Sequence, residues 1–184
     1  TAGDLDGQIN NGWKDAFISK LIFLYPPTDI SLSATNFNEN LGSEKVVTIL
    51  STTDQDTIDS HTYELISGEG DTDNESFTIV GNNLKINSTP NYETKSSYNI
   101  LLKTSDSGGF SYEKAITLSV NDVNEVATDI SLSAKSFNEN INNGEVVATL
   151  STTDQDTFDS HTYELISGDG DADNASFSIE GNQL

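Results

Sequence analysis

Along most of the chain, apolar and polar residues alternate in short runs. Ile30/Leu32/Ala34, Tyr63/Leu65, Phe77/Ile79, Leu84/Ile86, Tyr98/Ile100/Leu102 and Ile116/Leu118/Val120 all keep a period of two, which turns one set of side chains to one face of an extended segment. Together with the segment from Val46 to Thr53 they predict seven short strands, and their apolar members predict the core. Turn-forming residues separate the runs: Gly42, Asp59-Ser60, the stretch from Gly68 to Asn74, Gly81-Asn82 and Gly108-Gly109. No run of helical length carries a 3.6-residue period, so the chain is expected to be all-β.

The pattern repeats. Thr28 to Leu84 aligns without a gap on Thr128 to Leu184 at an offset of 100, with 41 of 57 positions identical. The stretch Ser51 to Thr57 recurs intact as Ser151 to Thr157, whereas the loop after Asn40 changes almost completely. Residues 28–126 form the first repeat and 127–184 the second, which lacks counterparts of Lys85 to Val126 and is expected to be incomplete. About 100 residues with seven strands and no helix is the size of an immunoglobulin-like Greek-key sandwich. The expectation is therefore two such sandwiches in tandem, preceded by an N-terminal extension, residues 1–27.

Composition narrows the function. Asp and Glu number 30 against 8 Lys and Arg, giving a formal net charge of -22. Such a field repels nucleic acid phosphates and anionic headgroups, so neither nucleic acid nor a membrane is an expected partner, and cations are. The longest apolar stretch, Leu21 to Tyr25, is far short of the ~20 residues of a membrane span. The chain has no cysteine, which removes disulfides, thiolate metal ligands and a Cys nucleophile together.

The acidic residues gather at predicted strand ends and loops: Glu39, Asp54, Asp56, Glu93, Asp106, Asp122 and Glu125, then Glu139, Asp154 and Asp156 in the second repeat. In extended backbone residues i and i+2 face the same way, so Asp-x-Asp can offer two carboxylates to one ion. Oxygen donors without Cys or His suit Ca²⁺, which takes roughly 6 to 8 of them. Two carboxylates about 4 Å apart repel by roughly 1 kcal/mol in water and roughly 4 kcal/mol at an effective dielectric of 20, so several that converge call for a cation. The loop Glu69 to Asn74, repeated as Asp169 to Asn174, has the alternating acids of a calcium loop without its distal Glu and is read as an acidic turn. His61 follows Asp59-Ser60, but consecutive residues cannot supply the geometry of a Ser-His-Asp triad, and His61 and His161 are read as structural. Glu39 and Glu93 show no aromatic cleft of a glycosidase around them, and Trp13, the single Trp, lies in the extension. No enzyme activity is expected.

These residues resemble the cadherin repeat, in the cadherin-like form of large bacterial surface proteins, over Thr28 to Leu184. Asn38-Glu39-Asn40 is similar to the family's Pro-Glu-Asn motif, and Asp54-Gln55-Asp56 and Asp154-Gln155-Asp156 to its Asp-x-Asp motif. Asn91-Tyr92-Glu93 stands where the family has Leu-Asp-Arg-Glu. Asp106-Ser107-Gly108-Gly109 resembles the Asp-x-Gly-Gly turn, and Asp122-Val123-Asn124-Glu125 the linker motif. The resemblance implies Ca²⁺ ions enclosed where two repeats meet, held here by Glu39, Asn91, Glu93, Asp122, Asn124, Glu125, Asp154 and Asp156. Asp54, Asp56 and Asp106 would form the matching upper end of the first repeat, with no acidic linker before them. Asn91 is neutral where the family has a carboxylate and Val126 replaces a linker Asn, so fewer or weaker ions are expected. In the extension, Gly3 to Gln8 and Lys14 to Lys20 resemble the tail of a bacterial β-propeller repeat over one strand pair.

The function expected is that of a calcium-rigidified, extracellular repeat module of a secreted or surface protein, a stalk or adhesin meeting other proteins, glycans or copies of itself. One alternative is an extracellular filament in which a strand of a neighbouring copy, with Asp15 to Tyr25 as donor, completes the second repeat. Another is a spacer in an exoenzyme.

Overall fold

The computed structural model describes residues 24–184. The proposed donor segment, except Leu24 and Tyr25, and the propeller-like stretches lie outside the described residues.

The first repeat contains eight strands: β1 (Asp29–Leu32), β2 (Asn36–Asn38), β3 (Lys45–Thr53), β4 (Thr62–Leu65), β5 (Phe77–Val80), β6 (Asn83–Ile86), β7 (Ser97–Ser105) and β8 (Ser111–Asn121). They form two four-stranded sheets, β1-β3-β6-β5 and β2-β8-β7-β4, antiparallel except where β2 runs parallel to β8. One more strand appears than the alternation predicts, because the opening strand breaks in two and changes sheet. At the break, the Ser33 hydroxyl accepts the Ile49 backbone N–H at 2.9 Å, and the buried Thr48 hydroxyl accepts the Ala34 N–H at 3.1 Å. The hydroxyls occupy backbone groups that would otherwise continue the β1–β3 ladder. Beyond the break Phe37 turns inward and packs against Phe77 and Tyr98, with ring centroids 6.5 and 6.1 Å away.

The core lies between the sheets. Ile30, Leu50, Leu84, Ile86, Ile100, Leu102 and Leu118 are all but sealed from water, and burying each contributes roughly 1.5–3 kcal/mol. A bulge between Val46 and Thr48 puts Val47 and Thr48 consecutively inside and leaves Val46 and Ile49 exposed. The alternation of β3 therefore reverses across the bulge.

The acidic loop after β4 also has a structural use. Its aspartate and asparagine side chains carry on the edge pairing of β7 where β4 stops: Asp73 accepts the Asn99 N–H at 2.7 Å and Asn74 the Leu101 N–H at 3.0 Å. Leu101 is buried beneath it, and a Cβ at Gly68 would meet Leu101 Cδ2 at 2.8 Å. The loop is thus a cover on the outer face of β7, in agreement with its reading as a turn.

The second repeat carries β9 (Asp129–Leu132) paired with β10 (Leu150–Thr153), in the register that β1 keeps with β3. Ile30 is fully buried, yet Ile130, in the same sequence context, is 62% exposed. Phe137, Ile141, Val146, Val147, Phe177 and Leu184 line an open hollow of about 710 Å³ on this face. The first repeat fills the equivalent space with β7 and β8, so the second is an incomplete sandwich. Val146, the counterpart of Val46, is likewise exposed.

Candidate metal centre

Where the two repeats meet, three elements converge: the end of β2, the turn before β7 and the segment that follows β8. Glu39 ends β2. Its carboxylate is 2% exposed and accepts the Tyr92 backbone N–H at 2.7 Å and the Val123 N–H at 2.8 Å. A buried carboxylate holding two N–H groups fixes both the turn and the start of the connecting segment. Glu93, on that turn, faces Glu39 and Asp122, the three offering oxygens within 4.8 Å of one another. Glu93 also belongs to a second triad, with Glu125 and Asp156, within the same distance. Asp156 reaches back from the second repeat and accepts the Glu125 N–H at 2.6 Å. Five carboxylates therefore share one junction, and among the described residues no lysine or histidine lies within salt-bridge distance of any of them.

The electrostatic cost is visible in two of them. Desolvation, followed by the neighbouring charges of Asp156, Glu93 and Glu39, holds the Asp122 carboxyl above the usual range. Glu125 is raised by desolvation as well, partly opposed by hydrogen bonding from the Asn40 amide, with Glu39, Asp156 and Glu93 adding to the rise. Asp122 is solvent-exposed, so repulsion among the acids is the part that a cation would relieve. A hollow of about 310 Å³ opens here, lined by Glu93, Asp122, Asn124 and Asp156 among others. An all-oxygen donor set of this kind could hold a hard metal ion.

A second group lies at the other end of the first repeat. Asp54 follows β3, Asp106 follows β7, and Asp59 comes from the loop between β3 and β4; their oxygens lie within 4.8 Å of one another. Asp106 is 9% exposed. It uses one oxygen to accept the Phe110 N–H at 2.8 Å, and Asp59 uses one to accept the Ser107 hydroxyl at 2.8 Å. The other oxygen of each is buried without a hydrogen-bond partner. An unpartnered buried carboxylate oxygen is costly, and a cation is the species that would offset the cost.

Not every expected ligand joins these groups. The Asn91 side chain accepts the Thr94 N–H at 2.7 Å and so shapes its own turn. Asp154 accepts the Asp156 N–H at 3.2 Å and has His161 at 3.6 Å, and is in neither junction triad. Asp54 makes the matching contacts in the first repeat, with the Asp56 N–H at 2.9 Å and His61 at 3.0 Å; both donors hold its carboxyl below the usual range, the backbone one foremost. Asp56 accepts the Tyr25 N–H at 2.6 Å and stands outside the Asp54 group. Asn124 donates to the Glu125 carbonyl at 2.6 Å. Asp59, read in the sequence as part of a turn, is the added member. Its recurrence as Asp159 at the same distance from the Asp-x-Asp motif is a signal in the sequence that could have found it.

No protein-family model matches the chain, and no curated protein matches it. Solved structures do. Human protocadherin-24 EC1-2 superposes with a TM-score of 0.52 at 22% identity, over 70% of this chain and 60% of that one. Its form II gives 0.51 at 23% identity, over 65% and 54%. The protocadherin GammaB4 extracellular domain gives 0.50 at 21% identity, over 86% of this chain and 26% of that one. The chain thus spans between 26% and 60% of the length of these structures. At such identities the likeness establishes architecture alone, and the architecture is that of the cadherin-like β-sandwich.

Proposed function

We propose that this chain is a non-enzymatic, calcium-rigidified repeat module of a large extracellular protein of bacterial surface or secreted type, acting as a stalk or in adhesion to other proteins or glycans. Residues 28–126 are its first unit and 127–184 the beginning of a second. The observation that carries the reading is the junction itself, five carboxylates from two repeats and their connection with no lysine or histidine of the described residues within salt-bridge distance of them. Glu39, Glu93, Asp122, Glu125 and Asp156 are the proposed calcium ligands there, with Asn124 beside them. Asn91 and Asp154 act by holding the turns that carry Glu93 and Asp156. Asp54, Asp59 and Asp106 are the proposed ligands of a second site, and Asp56 ties that end to Tyr25. Calcium bound at the junction neutralises the repulsion and converts a hinge into a stiff joint, which sets the reach of a longer array. Isothermal titration of metal-free protein with CaCl₂ tests the proposal. Saturable binding, with the junction component lost on combined Glu93→Ala and Asp156→Ala substitution and the component of the second site retained, is the expected result, and the absence of binding to the parent refutes it.

A second reading, assembly by strand addition, is favoured by the open apolar face of residues 128–184. Strands with the pattern of β7 and β8, from the same chain or from another copy, would cover it. A mass that rises with concentration supports assembly between copies.

A further inference from the structure

Gln155 lies at the centre of Asp154-Gln155-Asp156, a sequence identical to Asp54-Gln55-Asp56. Its side-chain amide nitrogen donates to Glu93 Oε2 at 3.0 Å and approaches Glu125 Oε2 at 3.4 Å. Glu93 belongs to the first repeat, Glu125 to the connection and Gln155 to the second repeat, so a single amide spans all three. The carboxylates it bridges are two members of the triad completed by Asp156. Asn40 supplies the only other amide at the Glu125 carboxylate among the described residues, through its nitrogen to the opposite oxygen. The positive end of an amide dipole is therefore what faces these acids in place of a charged side chain.

We propose that Gln155 is a built-in stand-in for the cation. Without a divalent ion its amide partly neutralises Glu93 and Glu125 and holds the second repeat against the first; for an ion to take both carboxylates, the amide must turn away. The proposal rests on the reading above, that these carboxylates hold a divalent ion, and it makes Gln155 a positioning residue that sets both the stiffness of the ion-free joint and the affinity of the ion.

The two effects have opposite signs, which a residue that merely packs would not produce. Loss of the amide loosens the ion-free joint, because the acids repel unshielded. The same loss strengthens ion binding, because a competitor has gone. Gln155→Lys places a full positive charge at similar reach and keeps the joint closed with no ion. Gln55 is the internal control: it sits in the same heptapeptide, but Tyr25 stands upstream of it where Glu125 stands upstream of Gln155.

Small-angle X-ray scattering of the full chain in excess chelator, with calorimetric titration by CaCl₂, decides the matter. In chelator, Gln155→Ala is expected to show a broader spread of lengths than the parent, Gln55→Ala the same spread, and Gln155→Lys a spread as narrow as the parent in calcium. The calcium Kd of Gln155→Ala is expected to fall by roughly two- to fivefold, the scale of one hydrogen bond to a charged group at an exposed position. A Gln155→Ala joint indistinguishable from the parent in chelator overturns the proposal, as does weaker calcium binding by this variant. If the parent takes up no calcium, the reading of the junction fails separately, and the chelator measurement still decides whether the amide holds the joint.

Discussion

Glu39 is the residue whose removal the structure prices most directly. Its carboxylate is buried and accepts two backbone N–H groups, those of Tyr92 and Val123. A hydrogen bond to a charged group contributes about 1.5–3 kcal/mol net, so Glu39→Ala costs about 3–6 kcal/mol and leaves both N–H groups without a partner. Against a whole-domain stability of about 5–15 kcal/mol this is a large share. Glu39→Gln keeps the shape and one accepting oxygen but turns an NH₂ towards the second N–H, and costs about half as much. The charge loss relieves part of the repulsion on Asp122 and Glu125 when no ion is bound, and it weakens the parent's gain from calcium, about 2.7 kcal/mol for an ion at a hundredfold excess over its Kd. Urea denaturation followed by circular dichroism, in calcium and in chelator, separates the two. In chelator Glu39→Gln should lose no more than the hydrogen-bond contribution, and in calcium it should lose more. An unchanged midpoint for Glu39→Ala in chelator would refute the capping role; equal losses for Glu39→Gln in both buffers would refute the role in ion binding.

Chelation should lower the melting temperature of the parent, as scanning calorimetry of confirmed metal-free protein will show; an unchanged curve sinks the linkage. In the metal-free protein the raised carboxyls of Asp122 and Glu125 mean that the folded state holds protons more tightly than the unfolded one. Their contribution is therefore fully present below the unfolded value of about 4 and is lost as pH rises through the folded values, a trend that melting scans from pH 4 to 7 in chelator will show and that calcium should reverse. Glu44 has φ of +59° where the second repeat has Gly144, so Glu44→Gly should be neutral or stabilise by up to about 1 kcal/mol in urea melts. Asp156→Ala should widen the spread of lengths in scattering with calcium, whereas Asp154→Ala should act on its own loop and the His161 contact.

Much of the fold was legible because the alternation is strict where a strand has one buried face: β7 keeps Tyr98, Ile100 and Leu102 inside as its period of two requires. It failed where backbone geometry breaks the period. The bulge in β3 sends Val46 out, and the sheet change at Ser33 to Thr35 brings in Phe37, a residue with no apolar partner two positions away to announce it. Neither event has a strong signal in a single sequence, since each depends on which groups the neighbouring strand offers. The second repeat shows how far burial is a property of the partner, for Ile30 and Ile130 differ completely in exposure within identical local sequence.

The acidic sites show the same dependence on context. The heptapeptide Ser51 to Thr57 and its copy Ser151 to Thr157 fold alike: in each the first Asp accepts the N–H of the second, and the second accepts a backbone N–H from the segment upstream. What differs is the residue that gives that last N–H. Glu125 brings its own carboxylate with it and is itself a member of a triad; Tyr25 brings none. Asp54 of the first copy instead meets Asp59 and Asp106 within the same repeat, where two buried oxygens are unpartnered. An identical motif thus supports a site shared between repeats at one end and a site closed within a repeat at the other. The residue upstream of the motif, Glu125 in one case and Tyr25 in the other, is one part of that difference. Exchanging that residue is a direct test: Glu125→Tyr should remove the shared triad while leaving the backbone bond to Asp156 intact, so the joint should remain ordered yet respond less to calcium in scattering. A response equal to the parent's would show that Glu125 contributes its N–H and nothing more.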